Sequence, residues 1–144
     1  MASVNSESNQ IIMDDWLVRL TALIELVEGW VTASGWSTRR IEKKMQDSDL
    51  GTYQAPALLM QEATTRIILE PIARSAPGAD GVVDLYLLPA YDDIASLYFY
   101  ADGWNIHYPS PDDPLVSAIE EIPPRPLSAE TLKAVLDEMT KNAA

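Results

Sequence analysis

Between Ala57 and Tyr108, five runs rich in β-branched, aliphatic and aromatic residues follow one another, parted only by turn formers. This spacing commits the middle of the chain to a sheet built from sequence neighbours. The runs are Ala57–Glu62, Arg66–Ala73, Val82–Leu88, Ile94–Tyr100 and Trp104–Tyr108. Ala63-Thr64-Thr65 is short enough for a hairpin, and Asp102-Gly103 is the tightest hairpin signal in the chain. Pro71 has no N–H to give a ladder, so it marks an edge, a bulge or an end of the second run. The expectation is an antiparallel meander of four or five strands.

Helical periodicity flanks this block. From Gln10 to Ser34 the apolar residues Met13, Trp16, Leu17, Leu20, Leu23, Ile24, Val27 and Val31 recur at steps of three and four, which predicts an amphipathic helix ended by Gly35. Residues 1–9 are small and polar and are expected to be a flexible tail. In residues 36–53, Arg39, Arg40, Lys43 and Lys44 sit at the wrong end of a helix dipole, so an extended or irregular segment is expected. Asp47-Ser48-Asp49-Leu50-Gly51 opens like a calcium loop. Its third acid is missing, however, Thr52 stands where that loop needs Gly, and Leu58 where it needs Glu, so the segment is expected to be a turn. Six of the ten prolines fall between Pro109 and Pro126, which predicts a surface loop around a short helix capped by Asp113, with Pro114 at its first position. Ser128 is a natural cap for a last helix with the stripe Leu132, Val135, Leu136 and Met139, and Leu127 before it can staple onto Leu132. The expected architecture is one α+β domain over residues 10–144. The meander packs on a long N-terminal helix, and a C-terminal helix covers part of the same core.

Composition narrows the chemistry. With 144 residues, 47% of them hydrophobic, the chain can build a single core. It has no cysteine, which removes disulfides, thiolate nucleophiles and Cys-bound metals, and its one histidine, His107, excludes sites needing two imidazoles. A formal charge of −12 works against binding nucleic acid. Residues 80–124 hold nine Asp and Glu and no Lys or Arg, enough to steer a basic partner, although several of these acids sit in turns where Asp bonds its own backbone. No signal- or transit-peptide pattern is visible in the first residues, so none is expected, and charged residues interrupt the first helix every few positions. A cytoplasmic location, with no membrane contact, is therefore expected. Walker and dinucleotide fingerprints are absent, Gly78-Ala79-Asp80-Gly81 has the surroundings of a turn, and no cofactor is expected.

Alternation along the second run puts Arg66, Ile68, Glu70, Ile72 and Arg74 on one side, and along the third it puts Asp84 with Tyr86. A carboxylate between Val83 and Leu85 needs a partner. Arg66 or Arg74 is the expected one, with Glu70 completing a cross-strand cluster. The same acids suggest two roles: a structural ion cluster, or a divalent metal held by Glu70 and Asp84 that activates water against a phosphodiester, helped by His107 or an arginine. The restriction-nuclease-like pattern of an acid on one strand and Glu-x-Lys on its hairpin partner is not met, because the partner reads Ile94-Ala95-Ser96-Leu97-Tyr98. His107 lies opposite Trp104, Ile106 and Tyr108 on the more polar face of its strand, without the elbow or triad order of a nucleophilic enzyme. Tyr86, Tyr91, Tyr98, Phe99, Tyr100, Trp104 and Tyr108 crowd into 23 residues, and such residues anchor interfaces. The expected candidate surface is Arg66, Glu70, Arg74, Asp84, Tyr86, Tyr98, Tyr100 and His107. The expected role is a non-catalytic protein-interaction module, inhibitor- or immunity-like, that offers an acidic aromatic surface to a basic partner or self-associates as a homodimer. The alternative is a metal-dependent hydrolase or degenerate nuclease-like domain using Glu70 and Asp84.

Overall fold

The computed structural model of the chain describes residues 2–108 and 124–143. The short helix expected at Asp113 lies outside them, as do Asp112, Glu120 and Glu121. Helix α1 (Ala2–Ala33) is followed by strands β1 (Ser37–Asp47), β2 (Gly51–Glu62), β3 (Thr65–Ala73), β4 (Val82–Leu87), β5 (Asp92–Tyr100), β6 (Gly103–His107) and β7 (Arg125–Pro126), and then by helix α2 (Ala129–Ala143). All the strands form one sheet in the order β1-β2-β3-β4-β5-β6-β7, each antiparallel to its neighbour. The α+β meander is as expected, with seven strands instead of four or five.

The additional strands have a common physical origin. β1 is an edge strand in which only Met45 is fully buried, so it carries no apolar run to announce it. Its Arg and Lys residues are what a sheet edge uses to discourage pairing with other chains. β7 is two residues long and joins β6 through Asn105 and Ile106. Helix α1 begins at Ala2 rather than Gln10, because extending a formed helix adds one hydrogen bond for each residue fixed. The side chain of Asn9 also donates to the Asp49 carbonyl at 3.0 Å. No helix among the described residues is long and apolar enough to cross a membrane.

One face of the sheet, the helix face, carries Leu58, Met60, Ile67, Leu69, Val83, Leu85, Ala95, Leu97 and Ile106. It packs into a single core with Trp16, Leu20, Leu23, Ile24, Val27 and Val31 of α1 and with Leu132, Val135, Leu136 and Met139 of α2. Both helices bury the stripes their periodicity defined. In α2 the Thr131 amide donates to Ser128 Oγ at 3.1 Å, while the Ser128 amide donates to Thr131 Oγ1 at 2.8 Å. This is a capping box with Thr in place of Glu. The β5–β6 hairpin turns on Ala101 and Asp102, both at positive φ, with Tyr100 facing Gly103. Its centre therefore lies one residue before the expected Asp102-Gly103.

The β1–β2 hairpin divides into two parts. β1 follows β2 along its whole length, whereas β2 pairs with β3 only from Leu58 to Glu62. At the parting, Ala57 and Leu58 are both fully buried, and beyond it Met45 and Ala55 turn into the core. β3 continues past the departing strand, and Lys43 Nζ donates to the Pro71 carbonyl at 2.8 Å. The register with β4 then shifts between Pro71 and Ala73, the bulge that Pro71 implied. The tip of the hairpin is an Asx turn, in which Asp47 Oδ1 accepts from the amides of Asp49 and Leu50 at 2.8 and 3.0 Å.

Trp16 fixes how α1 lies on the sheet. Its indole N–H donates to Tyr53 Oη at 3.0 Å, and its ring sits over Gly81. A Cβ added at Gly81 would meet Trp16 Cζ3 at 2.8 Å and Trp104 Cη2 at 3.3 Å. Gly81→Ala should therefore cost about 1–3 kcal/mol. Gly29→Ala on α1, where nothing lies within 4 Å, should gain about 0.5–1 kcal/mol. Urea denaturation of the two variants should move the midpoint in opposite directions.

Candidate functional site

The sheet face turned away from the helices, the outer face, is set by strand register. Glu70 stands opposite Asp84, Asp84 opposite Ser96, and Ser96 opposite His107, making one straight row across β3, β4, β5 and β6. Tyr86 shares the face with Asp84 by alternation. Tyr98 joins it opposite Val82 and Asn105, and Tyr100 opposite Gly103. The three tyrosines thus lie on one face, as do Arg66, Glu70, Asp84 and His107. Each of the three rings is partly exposed.

Two carboxylates directly opposite each other on neighbouring strands repel. Lys43 Nζ, reaching from β1, stands 3.6 Å from Glu70 Oε2. Asp84 is held differently. Tyr86 donates its hydroxyl to Asp84 Oδ2 at 2.7 Å, and Oδ1 is buried with no hydrogen-bond partner among the described residues. Burial, and next the bond to Asp84, push the Tyr86 phenol well above its ordinary pKa, so it remains a donor at any physiological pH. Its ring lies 5.4 Å from that of Tyr91 in the following turn. A buried carboxylate oxygen without a donor costs about 1–3 kcal/mol, which a cationic or N–H donor arriving from outside would relieve.

Two expectations are corrected here. Arg74 does not meet Asp84. Past the Pro71 bulge it turns to the hairpin tip, its Nε donating to Asp47 Oδ2 at 2.9 Å and its Nη2 lying 3.2 Å from Asp49 Oδ2. Arg66 is exposed and makes no ion pair among the described residues, so neither arginine neutralises Asp84. The aromatic residues divide between the two sides of the sheet. Phe99 and Trp104 pack edge-to-face at 5.3 Å on the helix side, where Arg19 lies 4.1 Å over the Phe99 ring. Tyr108 donates to Asp93 Oδ1 at 2.7 Å beside Asn142 of α2. The carboxylate–phenol pairs Asp84–Tyr86 and Asp93–Tyr108 therefore stand on opposite sides of the sheet.

Among the described residues no group of three or more His, Cys, Asp or Glu side chains gathers where it would hold a metal ion. Glu70 and Asp84 face each other as a pair, already engaged by Lys43 and Tyr86.

Two features had no forewarning in the sequence. Lys43, which meets Glu70, lies in a segment without strand periodicity. A cleft of about 350 Å³ opens between the end of α1 and the start of α2, lined by Trp30, Trp36, Leu132 and Leu136, with Glu62, Lys133 and Asp137 also on its walls.

Arg74 holds the Asp47 carboxyl down to about 2, with help from the Asp49 and Leu50 amides and against the effect of burial. A depressed folded-state pKa contributes stability above the unfolded value of 3.8, lost as pH falls through the folded one. Arg74→Gln should thus cost about 1–2 kcal/mol at pH 7, and urea midpoints should then depend less on pH between about 4 and 2. Tyr86→Phe removes the one donor to Asp84 among the described residues and should cost about 1–3 kcal/mol at neutral pH by the same measurement. No family model, curated protein or solved structure matches this chain.

Proposed function

We propose that this chain is a non-catalytic protein-interaction module, in the manner of an inhibitor or immunity protein. It receives a basic side chain of its partner on the outer face, at Asp84. The observation that carries this reading is the unpartnered, buried Asp84 Oδ1 within a face that also presents Tyr86, Tyr98, Tyr100 and His107. An arginine or lysine docking there displaces the side chains that cover the orphan oxygen, donates to it and relieves the repulsion between Glu70 and Asp84. The tyrosines offer flat, rigid surface on which a guanidinium stacks. The surface is acidic and aromatic only around Asp84, because Lys43 and Arg66 share the same face nearer β1. The charge of −12 adds long-range attraction that speeds encounter with a basic target. We place this activity in the cytoplasm.

The test is capture of a partner by the immobilised chain at low and high salt, with wild type and Asp84→Asn side by side. Binding should fall steeply as salt rises and drop by tenfold or more in the variant, while the variant keeps its fold by circular dichroism. Capture indifferent to both salt and Asp84→Asn would sink the reading. Calorimetry with Mg²⁺ and Mn²⁺ addresses the hydrolase alternative: saturable binding abolished by Asp84→Asn would favour it.

A further inference from the structure

At the β1 end of the outer face a second surface has the opposite sign. Register places Ser37 opposite Gln61 and Gln61 opposite Arg66, with Arg39 opposite Leu59 in the next outward row. These residues line a surface cleft of about 460 Å³ together with Thr38 and Met60. Arg39 and Arg66 are diagonal neighbours across β2. With strands about 4.8 Å apart and two residues spanning about 6.6 Å, their Cα atoms are about 12 Å apart, a gap two extended arginine side chains can close on a shared ligand.

The chain holds 22 Asp and Glu against 10 Lys and Arg, so carboxylates are in excess for every cation. Arg40, Lys43, Arg74, Lys133 and Lys141 each have one as a partner. Arg19 donates to the Asp80 carbonyl and lies over Phe99. Arg39, Lys44, Arg66 and Arg125 are exposed and have no carboxylate partner among the described residues, and of these Arg39 and Arg66 flank one cleft. Arg40, one residue on, points to the helix side and bonds Glu28 at 2.7 Å. The contrast follows from strand alternation, which turns Arg39 outward. Both guanidiniums are therefore free to meet one anion, and the cleft gives it a place between them. The cleft adds neutral polar groups to the two guanidiniums. Gln61 Nε2 is committed to the Ala63 carbonyl at 3.0 Å, which fixes that side chain at the cleft wall, and the Ser37 hydroxyl lies beside it.

We infer that the cleft between Arg39 and Arg66 is an oxyanion site, taking a carboxylate or a phosphate group on the two guanidiniums. It stands independently of the role given to Asp84, since it uses different residues and the opposite charge.

The experiment is NMR titration of the folded, full-length chain with sodium phosphate and, separately, sodium acetate. Ionic strength is held constant with sodium chloride, following the arginine Nε–Hε signals and the amides of Leu59 and Gln61. At least one of the two anions should give saturable shifts confined to the cleft. Arg39→Gln and Arg66→Gln should each weaken that binding about fivefold or more, and Arg125→Gln, on an exposed arginine elsewhere, should leave it unchanged. Saturation by phosphate alone identifies a phosphate site and by acetate alone a carboxylate site. Shifts that rise linearly, that chloride reproduces, or that survive both cleft substitutions overturn the proposal. All three arginines are exposed, so the variants keep the fold, and unchanged thermal midpoints would verify this.

Discussion

Burial of the α1 stripe against one side of the sheet is the interaction on which the remaining structure depends. A meander alone has two wet faces and no core. Trp16, Leu20, Leu23, Ile24, Val27 and Val31 supply the missing layer, and α2 extends it. Trp16 also sets the angle of the helix, through its seat over Gly81 and its bond to Tyr53. Once both helices lie on the same side, the other side carries the polar and aromatic residues among a few aliphatic ones such as Leu59, Ile68 and Val82, and every candidate binding group on the sheet follows from that asymmetry.

The outer face is ordered by charge across the strands rather than by a single sign. Arg39, Lys43 and Arg66 occupy the β1–β3 side and Glu70 and Asp84 the middle, with His107 and the tyrosines beyond. Strand register produces this gradient, since each residue faces one partner on each side. A ligand laid across the strands would therefore meet cations first, then carboxylates, then phenols. The chain's large net charge conceals that arrangement, because many acids outside this face sit in turns or on helices.

Residues on regular, buried elements were legible from the sequence. The α2 stripe and its Ser128 cap, the α1 stripe, and the shared face of Glu70, Asp84, Tyr86, Tyr98, Tyr100 and His107 all follow from period and alternation, which buried surfaces enforce. What stayed hidden depends on long-range geometry. β1 has few buried side chains and so lacks an apolar signature. The fate of Arg74 was decided by the Pro71 bulge and the turn of the hairpin tip towards it, neither of which local pattern encodes. The division of the aromatics could be read for Trp104 and Tyr108, by parity within their strand. That Asn142 would join Asp93 and Tyr108 required knowing where α2 ends.

The parting of β2 from β3 at Leu58 has a mechanical consequence. Beyond that point the hairpin is joined to the body of the protein by side chains, including Arg74 with Asp47 and Asp49, Lys43 with the Pro71 carbonyl, Trp16 with Tyr53, and Asn9 with Asp49. No continuous ladder secures it there. The β2 amides turned towards β3 before Leu58 have no ladder partner on that side, so they should surrender their hydrogens to deuterated solvent well before those at the centre of the sheet.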